Sequence, residues 1–179
     1  MKRIGLLILL IGILFSSLIA ESTKIAYVDT DRVMAETEST KEAQQIFQNE
    51  QKEWEQKISE MQEEIDKLTA DYESKKLVLT EEGKEEAQQK IKEKQQELQD
   101  YYQEIYGQEG KAVQRNSKLL EPILEKLKNV IEKVAVENNY TIVLDAAAGA
   151  LLYAKPGIDV TEEVIDEMNK TLEEEQSEE

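Results

Sequence analysis

From Trp54 the apolar positions fall at Trp54, Ile58, Met61, Ile65, Leu68, Tyr72 and, past Lys75, Leu79, in steps that alternate four and three. That spacing is the seam of a coiled coil, and it extends backward through Phe47. Ser39 followed by Glu42 is a capping-box signature, so the pattern predicts a helix from near Thr40 to Leu79, about 60 Å long. A second run, Ile91, Leu98, Ile105, Ala112 and Leu119, recurs every seven residues, with Ala87 and either Tyr101 or Tyr102 between its members. Between the two runs, Thr80-Glu81-Glu82-Gly83 offers a capping threonine and two acids for the positive end of a new helix. The simplest reading is an antiparallel helical hairpin over 40–119 with its tip at 80–83. One unbroken rod that dimerises is the alternative, since a single Gly and no Pro marks the turn.

The descending run is uneven. Gly107 and Gly110 sit inside it, each costing about 1 kcal/mol relative to Ala, and Pro122 removes a backbone hydrogen bond and kinks the helix beyond it. These three are hinge candidates for an arm that bends, with tolerated defects as the other reading. Beyond Pro122, the residues Ile123, Leu124, Leu127, Val130, Ile131 and Val134 make a stripe wider than a coiled-coil seam, so this end should lie against a core.

Three short segments read as strands: 24–29 (KIAYVD), 140–145 (YTIVLD) and 151–154 (LLYA), the last following a small-residue turn. Pro156-Gly157 makes a turn, 159–161 cap a last helix carrying Val164, Ile165, Met168 and Leu172, and 173–179 read as an acidic, solvated tail. The fold class is therefore α+β and mainly helical, a long hairpin on a small strand-containing body built from 21–39 and 120–172. The first strand precedes the hairpin and the others come after it, so the sheet closes only where the roots of the arm meet. A sheet this small leaves open edges and a meagre core, which scaffolds without disulfide or metal commonly resolve by associating. The body is expected to be shared between subunits of an obligate oligomer, with Ile25, Tyr27, Ile142, Leu144, Leu151 and Tyr153 as its oligomerisation residues. Periodicity does not supply the number of copies.

Composition narrows the chemistry. The 179 residues hold 39 acids against 22 bases, a formal charge of −17, and neither His nor Cys. Ser-His-Asp and Cys-His nucleophiles, His-rich zinc sites and disulfides are excluded because their residues are missing. The negative charge argues against a nucleic-acid partner, and no glycine-rich phosphate loop suggests a nucleotide. Asp29, Asp31, Asp145 and Asp159 sit at strand ends and turns without EF-hand spacing, so capping explains them better than metal binding or general-acid work. The expectation is a protein that is not an enzyme, with no cofactor, no metal and no catalytic residue.

Lys2 and Arg3 precede an uncharged apolar run over 4–15. Twelve residues span only about 18 Å as a helix, short of the roughly 30 Å hydrocarbon core. Residues 1–20 therefore read as a secretory signal cleaved after Ala20, with an uncleaved anchor as the alternative. Cleavage removes two bases and leaves 20 bases against 39 acids, a charge of −19. The mature chain is expected outside the cytoplasm, in the periplasm of a cell with two membranes.

Several motifs resemble the Skp (OmpH-like) family of periplasmic chaperones: KIAYVDTDRVM over 24–34, LTEEGKEEAQQKI over 79–91, LLEPILEKLKNVIEKVAVENNYTIVLD over 119–145 and LLYAKPGIDVTEEVIDEMN over 151–169. The resemblance covers nearly the whole mature chain. It implies a homotrimer in which strands of three subunits form a barrel-like body and three hairpins surround a cavity. It also implies a function, ATP-independent holding of unfolded outer-membrane β-barrel proteins. The chain departs from the family in charge: well-known members are basic, and −19 argues against attraction to acidic clients, lipopolysaccharide or anionic membrane.

A holder must present diffuse apolar surface, and three acidic arms would repel one another and stay splayed. Leu77 and Val78 at the tip are client-contact candidates. Tyr101, Tyr102, Ile105 and Tyr106 cannot all face one narrow seam, so one or two tyrosines should be exposed, and Tyr101 and Tyr106 join the candidates. A widened seam that covers them is the alternative. A different class of function also stays open, a coiled-coil envelope scaffold that grips one folded partner.

Overall fold

The structure, a computed structural model, describes residues 23–149 and 151–177, with side chains as far as Thr171. The expected leader, 1–20, and the end of the expected tail lie outside the described residues. The elements in order are β1 (Ile25–Val28), α1 (Thr30–Glu36), α2 (Glu38–Lys75), α3 (Glu81–Tyr106), α4 (Lys111–Glu137), β2 (Ile142–Asp145), a 3-10 turn at Pro156–Ile158, and α5 (Thr161–Ser177).

α2 and α3 form the antiparallel hairpin that the heptads predict. Every seam position from Trp54 to Leu79 is buried or half-buried, as are Ala87, Ile91, Leu98 and Ile105 on the returning helix. Of the seam side chains from Trp54 to Ile105, only Ile65 and Ile105 are fully buried, so the seam is narrow. At the tip α2 ends at Lys75, one turn short of the expected Leu79, and Thr80 caps α3 as expected, its hydroxyl accepting from the Gly83 N–H at 3.1 Å, with Glu81 and Glu82 in the first turn.

The descending limb is two helices, not one. α3 stops at Tyr106 and α4 restarts at Lys111, with the Gly110 N–H donating to the Gly107 carbonyl at 2.9 Å. The glycines are required by close backbone approach: a Cβ on Gly107 would lie 2.4 Å from the Gln103 carbonyl oxygen, and one on Gly110 would lie 2.4 Å from that of Ile105. The uninterrupted α2 splints this joint. Arg115 donates from Nε to both carboxylate oxygens of Glu50, at 2.8 and 2.9 Å, and one turn along α2 Trp54 meets Tyr106 edge-on at 6.5 Å. α4 runs helical through Pro122.

The body core collects Val33 and Ala43 from the arm's first root, Ile123, Leu127, Val130 and Val134 from its second, and Val160, Val164, Ile165 and Met168 from the last helix and its approach. Of the wide stripe predicted for α4, Leu124 is exposed instead. α4 closes in a Schellman motif, with Asn139 at φ 55°, the Tyr140 N–H bonded to the Ala135 carbonyl and the Asn139 N–H to that of Val136. The chain then turns into β2, which pairs parallel with β1 in the register Ile25↔Ile142 to Val28↔Asp145.

Four expectations are corrected. Among the described residues the sheet has two strands, not three: 151–154 is not a strand, because no ladder partner lies alongside it there, and β1's other edge is met by Asp159 and by the Val160 N–H, which donates to the Tyr27 carbonyl at 2.9 Å. The Ser39–Glu42 capping box does not start the arm. α2 begins at Glu38 behind Thr37, whose buried hydroxyl lies 3.1 Å from that of Thr40, and the Glu38 N–H is capped by Asn169 Oδ1 at 3.1 Å, from α5. The short helix α1, capped by Asp29 accepting from the Arg32 N–H at 2.9 Å, is an element the sequence pattern does not predict. The last helix runs on to Ser177, through most of the expected tail.

This packing carries two predictions. Met168→Ala should cost about 2–5 kcal/mol of unfolding free energy by denaturant titration, because Met168 is fully buried among four elements; an unchanged midpoint would place the core elsewhere. The second concerns acid. Burial works to raise the Asp159 pKa, but hydrogen bonds from the Thr161 hydroxyl at 2.6 Å and N–H at 2.9 Å, with the Tyr27 hydroxyl adding to them, outweigh it and hold the carboxyl below its ordinary value. Glu167 is held low first by the Lys133 ammonium, then by Lys170. Carboxyls depressed by folding stabilise fully above their unfolded values of 3.8 and 4.5, and that stability is lost as pH falls through the folded ones. Asp159→Asn with Glu167→Gln should therefore flatten the acid limb of a stability–pH curve, and an acid limb identical to the parent's would assign the proton linkage to other groups.

Candidate functional site

Side chains alternate across a strand, so the register of β1 and β2 sorts their residues onto two faces. Ala26 and Val28, with Val143 packed against them, face the core. Ile25 and Tyr27 lie opposite Ile142 and Leu144 on the other face, where Ile142 is 45% and Leu144 43% exposed and Tyr27 half-buried. Four of the six residues expected to mediate oligomerisation therefore share one uncovered apolar patch. The other two lie beyond the sheet in 151–154, where Leu151 is half-buried and Tyr153 is exposed. Between them Leu152, which the sequence pattern did not single out, is almost wholly exposed. The outer edge of β2 has no ladder partner among the described residues.

The opposite end of the molecule presents a second apolar feature. Leu77 and Val78 are 92% and 84% exposed in the turn between α2 and α3. Their neighbours Lys75, Lys76 and Lys84 pair with Asp71, Glu73 and Glu81. Two bare aliphatic side chains thus cap an otherwise charge-paired tip.

The tyrosines divide between seam and solvent. Tyr101 is half-buried beside the seam, and Tyr106 packs its ring against Trp54, which in turn meets Phe47 at 6.2 Å. Burial pushes the Tyr106 phenol upward, with Glu55 adding to the effect. Tyr102 is the exposed one, at 53%, leaning on Tyr106 with ring centroids 5.1 Å apart. The candidate pair Tyr101 and Tyr106 is therefore half-covered, and the open ring belongs to their neighbour. The alternation of four and three contains the signal: from Leu98, a step of three and a step of four reach Ile105 through Tyr101, which leaves Tyr102 off the seam.

The remaining polar candidates serve the backbone. Asp29 caps α1, Asp145 accepts from the Thr30 hydroxyl at 2.9 Å and the Ala147 N–H at 3.0 Å, and Asp159 caps the start of α5. Among the described residues no group of three acids could hold a metal ion, and no helix is long and apolar enough to cross a membrane. What the geometry offers is surface: a bare sheet face at the root, aliphatics at the tip, and an arm of mixed aromatic and polar character between them.

Comparison with known proteins bears on this arrangement. A family model described as outer membrane protein (OmpH-like) matches residues 24–168. An uncharacterized protein of Aquifex aeolicus (strain VF5) is 29% identical over 169 residues, covering 94% of this chain and 96% of that protein. Among solved structures, the fold is similar to the crystal structure of a Caulobacter crescentus CB15 protein described as a candidate outer membrane chaperone (OmpH-like), with a TM-score of 0.77 over 83% of this chain and 85% of that one. Identity there is 15%, so this likeness concerns the fold alone.

Proposed function

The chain belongs to the OmpH-like outer membrane protein family, and on that premise we propose that it is an ATP-independent holding chaperone of the periplasm. It encloses unfolded outer-membrane β-barrel proteins and keeps them from aggregating before insertion. The observation that carries this reading is the uncovered apolar face of Ile25, Tyr27, Ile142 and Leu144 at the root of a long arm. Such a face on a two-stranded sheet is a surface for association, and a self-associated root gathers several arms around one space.

Copies of the chain meet through this face, with 151–154 supplying a further edge to a neighbour; three copies is the number the family resemblance implies. Residues 1–20 deliver the chain across the inner membrane. Gly107 and Gly110, with Pro122 below them, are the points at which each arm bends, within the limit that the splinting α2 sets. Leu77, Val78 and the tyrosine cluster touch the client. The net negative charge keeps arms apart and the loaded complex soluble. An unfolded barrel exposes alternating apolar residues that aggregate on contact, so a shielded space and weak apolar contacts suffice, without nucleotide hydrolysis.

Two measurements on the mature chain test this. Sedimentation should give an oligomer, and Ile142→Lys with Leu144→Lys should convert it to monomer while leaving helicity in place; a folded wild-type monomer at micromolar concentration would refute the shared body. Light scattering should show that the wild type, and not the lysine variant, suppresses aggregation of several unrelated unfolded barrels without nucleotide. Binding confined to one folded partner would point to a scaffold instead.

A further inference from the structure

The glutamines of α3 fall into two groups. Gln88 donates to the Tyr72 hydroxyl at 2.7 Å, Gln89 to Glu93 at 3.0 Å and Gln96 to Asp100 at 2.8 Å. Gln95, Gln99 and Gln103 make no side-chain hydrogen bond among the described residues, although all three are exposed. Their spacing explains this. The position four residues after Gln95 is Gln99, after Gln99 it is Gln103, and after Gln103 it is Gly107, so none has a carboxylate at the i+4 position that Gln89 and Gln96 use. Together with Ile58, Leu98 and the open ring of Tyr102 they line a groove of about 390 Å³ between α2 and α3.

No lining residue of this groove is charged, on an arm where charge is otherwise dense. Glu93, Glu97, Asp100 and Glu104 lie on the outer face of the same helix, turned away from the groove. A charged occupant would find no counter-charge in the groove, and a basic one would be drawn to that outer face instead. The electrostatically matched occupant is neutral. The amides add a second requirement. Each presents both a donor and an acceptor, and helical steps of four residues set them about 6 Å apart. Peptide groups facing one side of an extended chain repeat at about 6.6–6.8 Å. Over two steps the mismatch is about 1–2 Å, which flexible glutamine side chains absorb.

We propose that Gln95, Gln99 and Gln103, with Ile58, Leu98 and Tyr102, form a docking strip for an extended, uncharged polypeptide segment. The amides engage its backbone and the apolar floor takes every second side chain. A strand of an unfolded membrane barrel has this chemistry, apolar at alternate positions with free N–H and C=O groups throughout. Backbone recognition makes the strip indifferent to client sequence. The inference rests on the holding role proposed above and names its contact surface.

The test measures the dissociation constant of the intact mature oligomer for a fluorescently labelled, unfolded eight-stranded barrel by anisotropy. Q95E/Q99E/Q103E should weaken binding at least tenfold and Q95A/Q99A/Q103A several-fold. Q62E/Q89E/Q96E, which adds the same charge at glutamines already bonded to carboxylates or set away from the groove, should stay within twofold. Circular dichroism and sedimentation confirm that each variant keeps its helices and assembly, and the alanine set, which favours helix, covers a failure of the glutamate set to fold. Strip variants that bind as tightly as wild type would overturn the proposal, as would an equal loss in the outer set, which would assign the effect to net charge. A wild type that binds no unfolded barrel would instead remove the holding role itself.

Discussion

Everything in this molecule depends on two short strands running parallel. Parallel neighbours cannot be joined by a tight turn and need a crossover connection, and here the crossover is the whole arm. The Lys24 N–H donates to the Thr141 hydroxyl, and the Lys24 ammonium reaches the Asn138 carbonyl at 2.8 Å while lying 4.3 Å from the centre of the Tyr140 ring. These contacts fasten the entry of the arm to its exit. Once they are made, α1, the first turns of α2 and the last turns of α4 converge on Val33, Ala43, Leu127 and Val134, and α5 closes the core from the side. The sheet is too small to cover both its faces from one chain, so its inner face is satisfied internally and its outer face is not.

The arm and the root are held by different amounts of apolar contact. The root buries a broad stripe of α4 against three other elements, whereas the arm joins two helices along a narrow seam bordered by pairs such as Lys94 with Glu64 at 3.5 Å. Exposed ion pairs of that sort contribute at most about 1 kcal/mol each. Stability is therefore concentrated where the strands meet and thins toward Leu77 and Val78. At Gly107 and Gly110 the descending limb is interrupted outright, and the bidentate Arg115–Glu50 contact and the Trp54–Tyr106 contact attach the pieces on either side to adjacent turns of one continuous helix.

The hairpin, its Thr80 cap, both paired strands and the apolar face of the last helix were legible in the residues because each is written locally, as a period, a capping pair or an alternation. What was not legible depends on distant partners. The start of α2 is set by Asn169, 131 residues away, while the nearby Ser39–Glu42 pair offers a capping signal that the fold does not use. α1 buries only Val33, too little to leave a period. The 151–154 segment is apolar like a strand but finds no edge among the described residues. At the arm surface the heptads required one or two tyrosines off the seam without fixing which, and Tyr102 presents the open ring.

The separation of β1 from β2 also sets an order of events. Contacts within the hairpin join residues close to one another along the chain, whereas the sheet must close a loop of more than 100 residues. As the polypeptide is made N-terminus first, α2 and α3 can zip together while β1 has nothing to pair with. Its complement arrives only after most of the chain has been made. The arm is thus the first part to mature and the sheet the last, so a chain halted before Ile142 displays a finished hairpin but no root to anchor it.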